Sequence, residues 1–288
     1  MPSDVPPPDT LLVGPASLDR YLATGRVLPG GGALNMACHW SRRGRSFELV
    51  TRVAAHDVAV FRPFFERHAI RVSPHSVRPG ESCSVDVVFG DDRQPWMDNF
   101  VEGLWGTFEF TGDELDSIGA GIPTHLVLVD VVDAALLRLA DAGRLRTARL
   151  TGDFLSFRHF TPDRFAETFR HLEIGFIGWP GDADDPLLDR LGAHVGPFGN
   201  VLVVTLGSRG VDVFDGRSGT VEHRWFDVDA RPVVGTTVGC GDAFIAGFLD
   251  AWFRTDDLAA AIDAGRELGA EATAWMGPLP DAAYADAP

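Results

Sequence analysis

The chain has 288 residues, with 25 basic and 41 acidic side chains and a formal net charge of −16. That balance argues against nucleic acid or an anionic membrane as a partner, because both require a basic surface. The basic residues are all Arg. A chain without lysine has no Schiff-base anchor, no phosphate loop of the G-x-x-x-x-G-K-[ST] type and no protein-kinase strand lysine, so phosphate must be met by backbone N–H groups, Arg or a metal.

In chain order, Met1–Thr10 is proline-rich and lacks the basic and apolar regions of a signal peptide. Leu11-Leu12-Val13 reads as a short strand. The turn-rich stretch Tyr21 to Pro29 reads as part of a flap standing off the main sheet. Ala33 to Arg43 reads as a helix that Gly44 can end, with Arg42, Arg43 and Arg45 where cations suit the helix dipole. Asp57 to Ala69 is amphipathic. Ser82 to Phe89 alternates Ser, Val and Asp before the polar turn Gly90 to Arg93, as a second part of the flap should.

Further on, apolar runs of strand length at His125 to Val132, Ile174 to Ile177 and Val201 to Leu206 alternate with amphipathic stretches. Those stretches are Asp133 to Ala142, Thr161 to Leu172 and Pro186 to Val195. Two long helices follow, Asp242 to Phe253 and Leu258 to Trp275. Strands alternating with crossover helices predict an α/β fold, a central, mainly parallel sheet flanked by helices on both faces. Residues 1–288 read as one domain, with lid strands roughly within 15–30 and 81–103. Cys38, Cys83 and Cys240 form no C-x-x-C pair, which predicts neither a disulfide framework nor a zinc site and fits a reducing cytoplasm. No apolar run approaches the ~18 residues that span a bilayer.

The sharpest segment is Val233 to Phe244, where a strand-like run feeds the turn Gly239-Cys240-Gly241 and a helix follows at once. The first N–H groups of a helix lack intrahelical partners and the dipole there is positive, so such a turn can seat an oxyanion. Asp242, in the first turn, suits a capping carboxylate and equally a base that takes a proton from a substrate hydroxyl. Cys240 at a helix start could carry a lowered pKa, but no His partner is placed beside it for nucleophilic catalysis. His39 and the tryptophans Trp96, Trp105 and Trp179 read as packing.

Thr236-Thr237 followed by G-C-G-D-A-F resembles the C-terminal signature D-[TP]-T-G-[AC]-G-D of the ribokinase-like (PfkB) carbohydrate kinases. Gly30-Gly31-Gly32-Ala33-Leu34-Asn35 is similar to that family's N-terminal G-G-x-x-x-N. Val203 to Val211 is similar to its strand-turn-strand at the nucleotide site, and Val13 through Asp19 to its first strand with a sugar-binding Asp. The resemblance implies a Rossmann-like three-layer kinase that moves phosphate from ATP, with Mg2+, to a CH2OH group. It implies Asp242 as general base and Gly239, Cys240 and Gly241 as anion hole. It further implies Asp19, Gly30, Gly31 and Asn35 on the sugar, Thr205, Gly207 and Gly210 beside the nucleotide, and no side-chain metal site.

Thr236 stands where the family has Asp, which puts a monovalent-cation requirement in question. The family's N-x-x-E has no counterpart; Asp182 and Asp184 stand near its place. These departures favour a non-catalytic sugar- or nucleotide-binding relative, while Asp242 and its glycines favour a kinase; a nucleoside kinase is the other alternative. Asp98 to Gly103 and Ile174 to Gly178 look like the fructosamine (fructoselysine) kinase branch, with a sugar or ketosamine as acceptor. The flap leaves room for a homodimer through the lid.

Overall fold

The structure is a computed structural model that describes residues 7–89 and 95–284. The turn read at Gly90 to Arg93 lies outside them. The chain begins with β1 (Leu11–Val13), the hairpin β2 (Ser17–Tyr21) and β3 (Arg26–Gly30), and α1 (Gly32–Arg42). Next come β4 (Glu48–Val50), β5 (Val53–Ala54), α2 (Val58–Arg67), β6 (Val77–Arg78), β7 (Cys83–Phe89) and β8 (Pro95–Val101). The middle holds α3 (Gly112–Gly119), β9 (Thr124–Val127), α4 (Asp130–Asp141), β10 (Leu150–Asp153), α5 (Pro162–Phe169) and β11 (Ile174–Gly178). The last part holds α6 (Pro186–Gly192), β12 (Val201–Thr205), β13 (Val211–Asp215), β14 (Glu222–Phe226), α7 (Cys240–Thr255) and α8 (Leu258–Ala272).

Eight strands form the main sheet in the order β14-β13-β12-β11-β10-β9-β1-β4. The six from β12 to β4 are parallel; β13 and β14 add antiparallel. Two hydrophobic cores lie on its two faces. Val201 and Val203 of β12 enter one, with α1, α7 and α8; Leu202 and Val204 enter the other, with α4, α5 and α6. Successive strand residues point to opposite faces, so a strand covered on both sides must be apolar throughout, as β12 is.

The lid is a separate four-stranded sheet, β3-β2-β7-β8. Its central pair is parallel, with Asp19 opposite Val85 and Tyr21 opposite Val87. β8, on its outer edge, exposes Trp96 and Phe100.

The apolar run expected as one strand over His125 to Val132 is divided. The strand stops at Val127 and α4 starts at Asp130, with Asp130 and Asp133 in its first turn. Acidic groups there suit the positive helix start, which outweighs the continuity of apolar residues. Strands β4, β10 and β14 of the main sheet were not apparent from periodicity; β10 reads Leu-Thr-Gly-Asp, too short and polar for an apolar pattern. The Arg cluster after α1 does more than meet a dipole. Arg43 and Arg45 reach the buried Asp250 of α7, which Arg254 also meets.

Candidate active site

The turn before α7 is stitched to the chain that follows α8. Gly235 donates to Thr273 O at 2.9 Å and Thr236 to Trp275 O at 2.8 Å. The buried Thr236 hydroxyl donates to Met276 O at 3.5 Å and accepts from Val238 N–H at 3.3 Å. Gly239 then takes φ +73, a left-handed turn that a side chain would strain, and a Cβ there would run into Pro278. Cys240 N–H donates to Thr237 O at 3.3 Å, so it is partly committed to its own chain. The N–H groups of Gly239, Gly241 and Asp242 have no acceptor among the described residues. This is the unpartnered helix start that an anion seeks.

Asp242 faces the start of a second helix. Gly31 enters α1 at φ +96, and Asn35 N–H closes the first turn on Gly31 O at 2.9 Å. Asn35 Nδ2 donates to Asp242 Oδ2 at 2.8 Å, while its Oδ1 is buried without a partner. Gly32 lets Asp242 approach, since a Cβ there would sit 3.0 Å from Asp242 Oδ1. Burial pushes the Asp242 carboxyl up to about 6, and the Asn35 bond holds it lower than burial alone would.

Two more buried carboxylates face the same place. Asp19, on the lid strand β2, folds over Gly30, where no side chain could fit. Burial lifts it to about 7; the Ser17 hydroxyl bond opposes and the charge of Asp242 adds to the rise. Asp153 ends β10 and is also raised to about 7, by burial and then by the charge of Asp242. Asp153 Oδ1 accepts from Leu155 N–H at 2.8 Å. The two non-glycine residues that follow in left-handed conformations, Leu155 at φ +55 and Phe157 at φ +62, turn the chain sharply away from the strand end.

Asp153 is the site residue that sequence reasoning missed. Its signal was a carboxylate closing a short strand, and ligands of parallel sheets sit outside carboxyl ends of strands.

The residues expected at the nucleotide lie along that same sheet edge. Asp153 pairs in register with Phe176, and Gly178 with Thr205, so β10, β11 and β12 end side by side. Thr205 Oγ1 donates to Ile177 O at 3.4 Å; Gly207 (φ +62) and Gly210 (φ +150) bracket the turn into β13. No hydrogen bond joins these three to the Asp242 group among the described residues. Asp182 is exposed and pairs with Arg209 at 3.5 Å. Among the described residues no group of three or more His, Cys, Asp or Glu is placed to hold a metal ion.

Other candidates are inert. Burial and the charge of Asp242 push the Cys240 thiol up to about 11, the reverse of an activated nucleophile. His39 stacks on Trp275 with centroids 5.8 Å apart, and burial drives it down to about 3, so it stays neutral. Trp105 and Trp179 are buried, whereas Trp96 is exposed on the lid.

Residues 174–280, the stretch that holds β11 to α8 and the turn before Asp242, match the pfkB family carbohydrate kinases. That match covers the C-terminal part of the chain, including the turn that precedes Asp242. Over 268 residues it is 24% identical to fructoselysine 6-kinase of Escherichia coli (strain K12), covering 92% of this chain and 97% of that protein. In fold it is similar to adenosine kinase from Sinorhizobium meliloti (TM-score 0.76, 18% identity, 95% and 96% of the two chains). It is likewise similar to the nucleoside kinase of Methanocaldococcus jannaschii (TM-score 0.74, 16% identity, 96% and 97%). Together the match and the fructoselysine 6-kinase likeness support a carbohydrate kinase. No helix among the described residues is long and apolar enough to cross a membrane.

Proposed function

We propose that this kinase transfers the terminal phosphoryl group of MgATP to a primary alcohol of a sugar or sugar derivative, with Asp242 as general base. The observation that carries this reading is the Asp242 carboxylate standing beside the unpartnered N–H groups that open α7. Phosphoryl transfer is mostly positioning and charge stabilisation. The Gly239 and Gly241 N–H groups would meet the charge on the transferring group, while Cys240 contributes less because its N–H already bonds Thr237 O. Asp242 would accept the hydroxyl proton as the O–P bond forms and ADP leaves.

Asn35 Oδ1, buried and unpartnered, would accept a hydrogen bond from a hydroxyl of the acceptor, and Asp19 and the backbone at Gly30 and Gly31 would line the sugar. Thr205, Gly207 and Gly210 would border the nucleotide at the end of β12. Mg2+ would arrive on the nucleotide and neutralise charge on its phosphates. Thr236 ties its loop to Met276 O directly, which supports activity without a monovalent cation.

The fructoselysine 6-kinase likeness favours a ketosamine acceptor. The exposed Trp96 and Phe100 on the lid edge favour pairing of two copies through the lid, and three free cysteines favour a reducing compartment such as the cytoplasm. The test is ADP release from MgATP across sugars, ketosamines and nucleosides. Turnover with a ketosamine or sugar supports the reading; nucleotide binding with no turnover on any acceptor would replace it with a non-catalytic binding role.

A further inference from the structure

The lid face that carries Asp19 continues past it into a cavity of about 220 Å3. Tyr21 lies two residues beyond Asp19 on β2 and so shares its face; Leu28 lies opposite Asp19 on β3. Both line the cavity, together with Val87 of β7 and Leu279 from the chain after α8. The electrostatic neighbours run in the same spatial order. Asp19 feels the charge of Asp242, and the Tyr21 phenol feels Asp19, Arg26 and Asp281.

The walls are apolar but the rim is not. Arg26 and Asp281 both line the cavity, both are exposed, and neither has an ion-pair partner among the described residues. An unpaired cation and an unpaired anion at one mouth match a ligand that carries one group of each sign. The reactive CH2OH of a hexose belongs at Asp242 and its middle hydroxyls at Asn35 and Asp19. The opposite end of the sugar, where a substituent on nitrogen is attached, then leads past Asp19 towards Tyr21. The cavity has room for roughly seven heavy atoms at the ~30 Å3 that a water-sized group occupies.

We propose that this cavity is the subsite for the acceptor's tail, an amino acid joined through a side-chain nitrogen to the sugar. The apolar stem packs against Tyr21, Leu28 and Val87, the carboxylate meets Arg26 and the ammonium meets Asp281. The placement of the sugar rests on the phosphotransfer reading above; recognition of the tail is tested by binding, without nucleotide.

The full chain is titrated calorimetrically with fructose, with 1-deoxy-1-butylamino-fructose and with fructose linked at C1 to the ε-nitrogen of lysine. The lysine adduct binds at least about tenfold more tightly than fructose, as charge-assisted contacts should deliver. Arg26→Ala and Asp281→Ala each weaken the lysine adduct about tenfold and leave the butylamino ligand within about twofold, since only the first carries the charged groups. Arg26→Lys keeps part of the affinity. Equal losses for both ligands, no loss, or no binding of the lysine adduct overturns the subsite. ADP release run in parallel separates the two readings. A selective binding loss with no turnover by the wild type leaves the subsite standing and removes the phosphotransfer role. Turnover of the lysine adduct with the same KM in wild type and Arg26→Ala does the reverse.

Discussion

Asn35 Nδ2 and Asp242 Oδ2 meet at 2.8 Å although 207 positions separate them in sequence. The bond joins the first turn of α1 to the first turn of α7, so the two glycine turns share one carboxylate. It fixes the direction of that carboxylate and leaves Oδ1, next to Gly32, for a proton.

Asp242→Asn keeps the Asn35 contact geometry but removes the proposed base. Turnover falls by about 10²–10⁴, the usual span for losing a general base. Nucleotide affinity stays within about twofold. Coupled ADP release and calorimetry with an ATP analogue read the two quantities; retained turnover would remove Asp242 from the base role.

Asn35→Ala removes a bond that favours the charged form of Asp242. If Asp242 is the base, the acid limb of the wild-type kcat profile lies near pH 6 and this variant moves it to higher pH, while KM for the acceptor rises. An unmoved limb would show that another group titrates there.

Activity and stability respond to pH in opposite senses. With Asp242 as the proposed base, turnover should rise as pH passes about 6 and its carboxyl ionises. Asp19 and Asp153, both raised to about 7, stabilise the fold fully below the unfolded carboxyl pKa of ~3.9 and lose that contribution as pH rises through 7. Thermal unfolding from pH 4 to 8 should show their part of the stability falling. Asp153→Asn should raise Tm at pH 8 relative to wild type, and raise it much less at pH 4. A Tm loss of the same size at both pH values would mean that the carboxylate is structural.

Gly239→Ala forces a Cβ into a φ +73 turn and against Pro278. Left-handed strain alone costs about 1–2 kcal/mol, and the displaced N–H groups lose their aim. Turnover drops further than the Tm loss explains, whereas Gly44→Ala, also left-handed but in open space, lowers Tm without changing kcat.

If Thr236 replaces a bound cation, initial rates in potassium, sodium and choline chloride at equal ionic strength agree within about twofold, because screening depends on ionic strength rather than on ion identity. Strong activation by potassium alone would show a cation site that the Thr236 hydroxyl does not fill.

Local patterns were readable wherever one side-chain period ruled. β12 is apolar at each of its first four positions because both faces are covered, and α7 starts where Gly239 and Gly241 allow a tight turn before a helical pattern. Asp242 was therefore legible as a carboxylate at a helix start, and the absence of lysine excluded several phosphate-binding solutions outright. β10 was not legible, because four residues ending in Gly-Asp carry no period, and α4 was misplaced because apolar continuity hid its acidic first turn.

What the sequence determined by itself was thus the alternation of strands and helices, the two glycine turns and the chemistry available to meet phosphate. The tertiary structure alone decided that Asp153 joins Asp19 and Asp242, that Cys240 spends its N–H on Thr237, and that Arg26 and Asp281 share one cavity. These depend on strand order and on how the lid docks, which arise from packing between distant segments. A residue's local period says which face it occupies and nothing about which distant face will meet it.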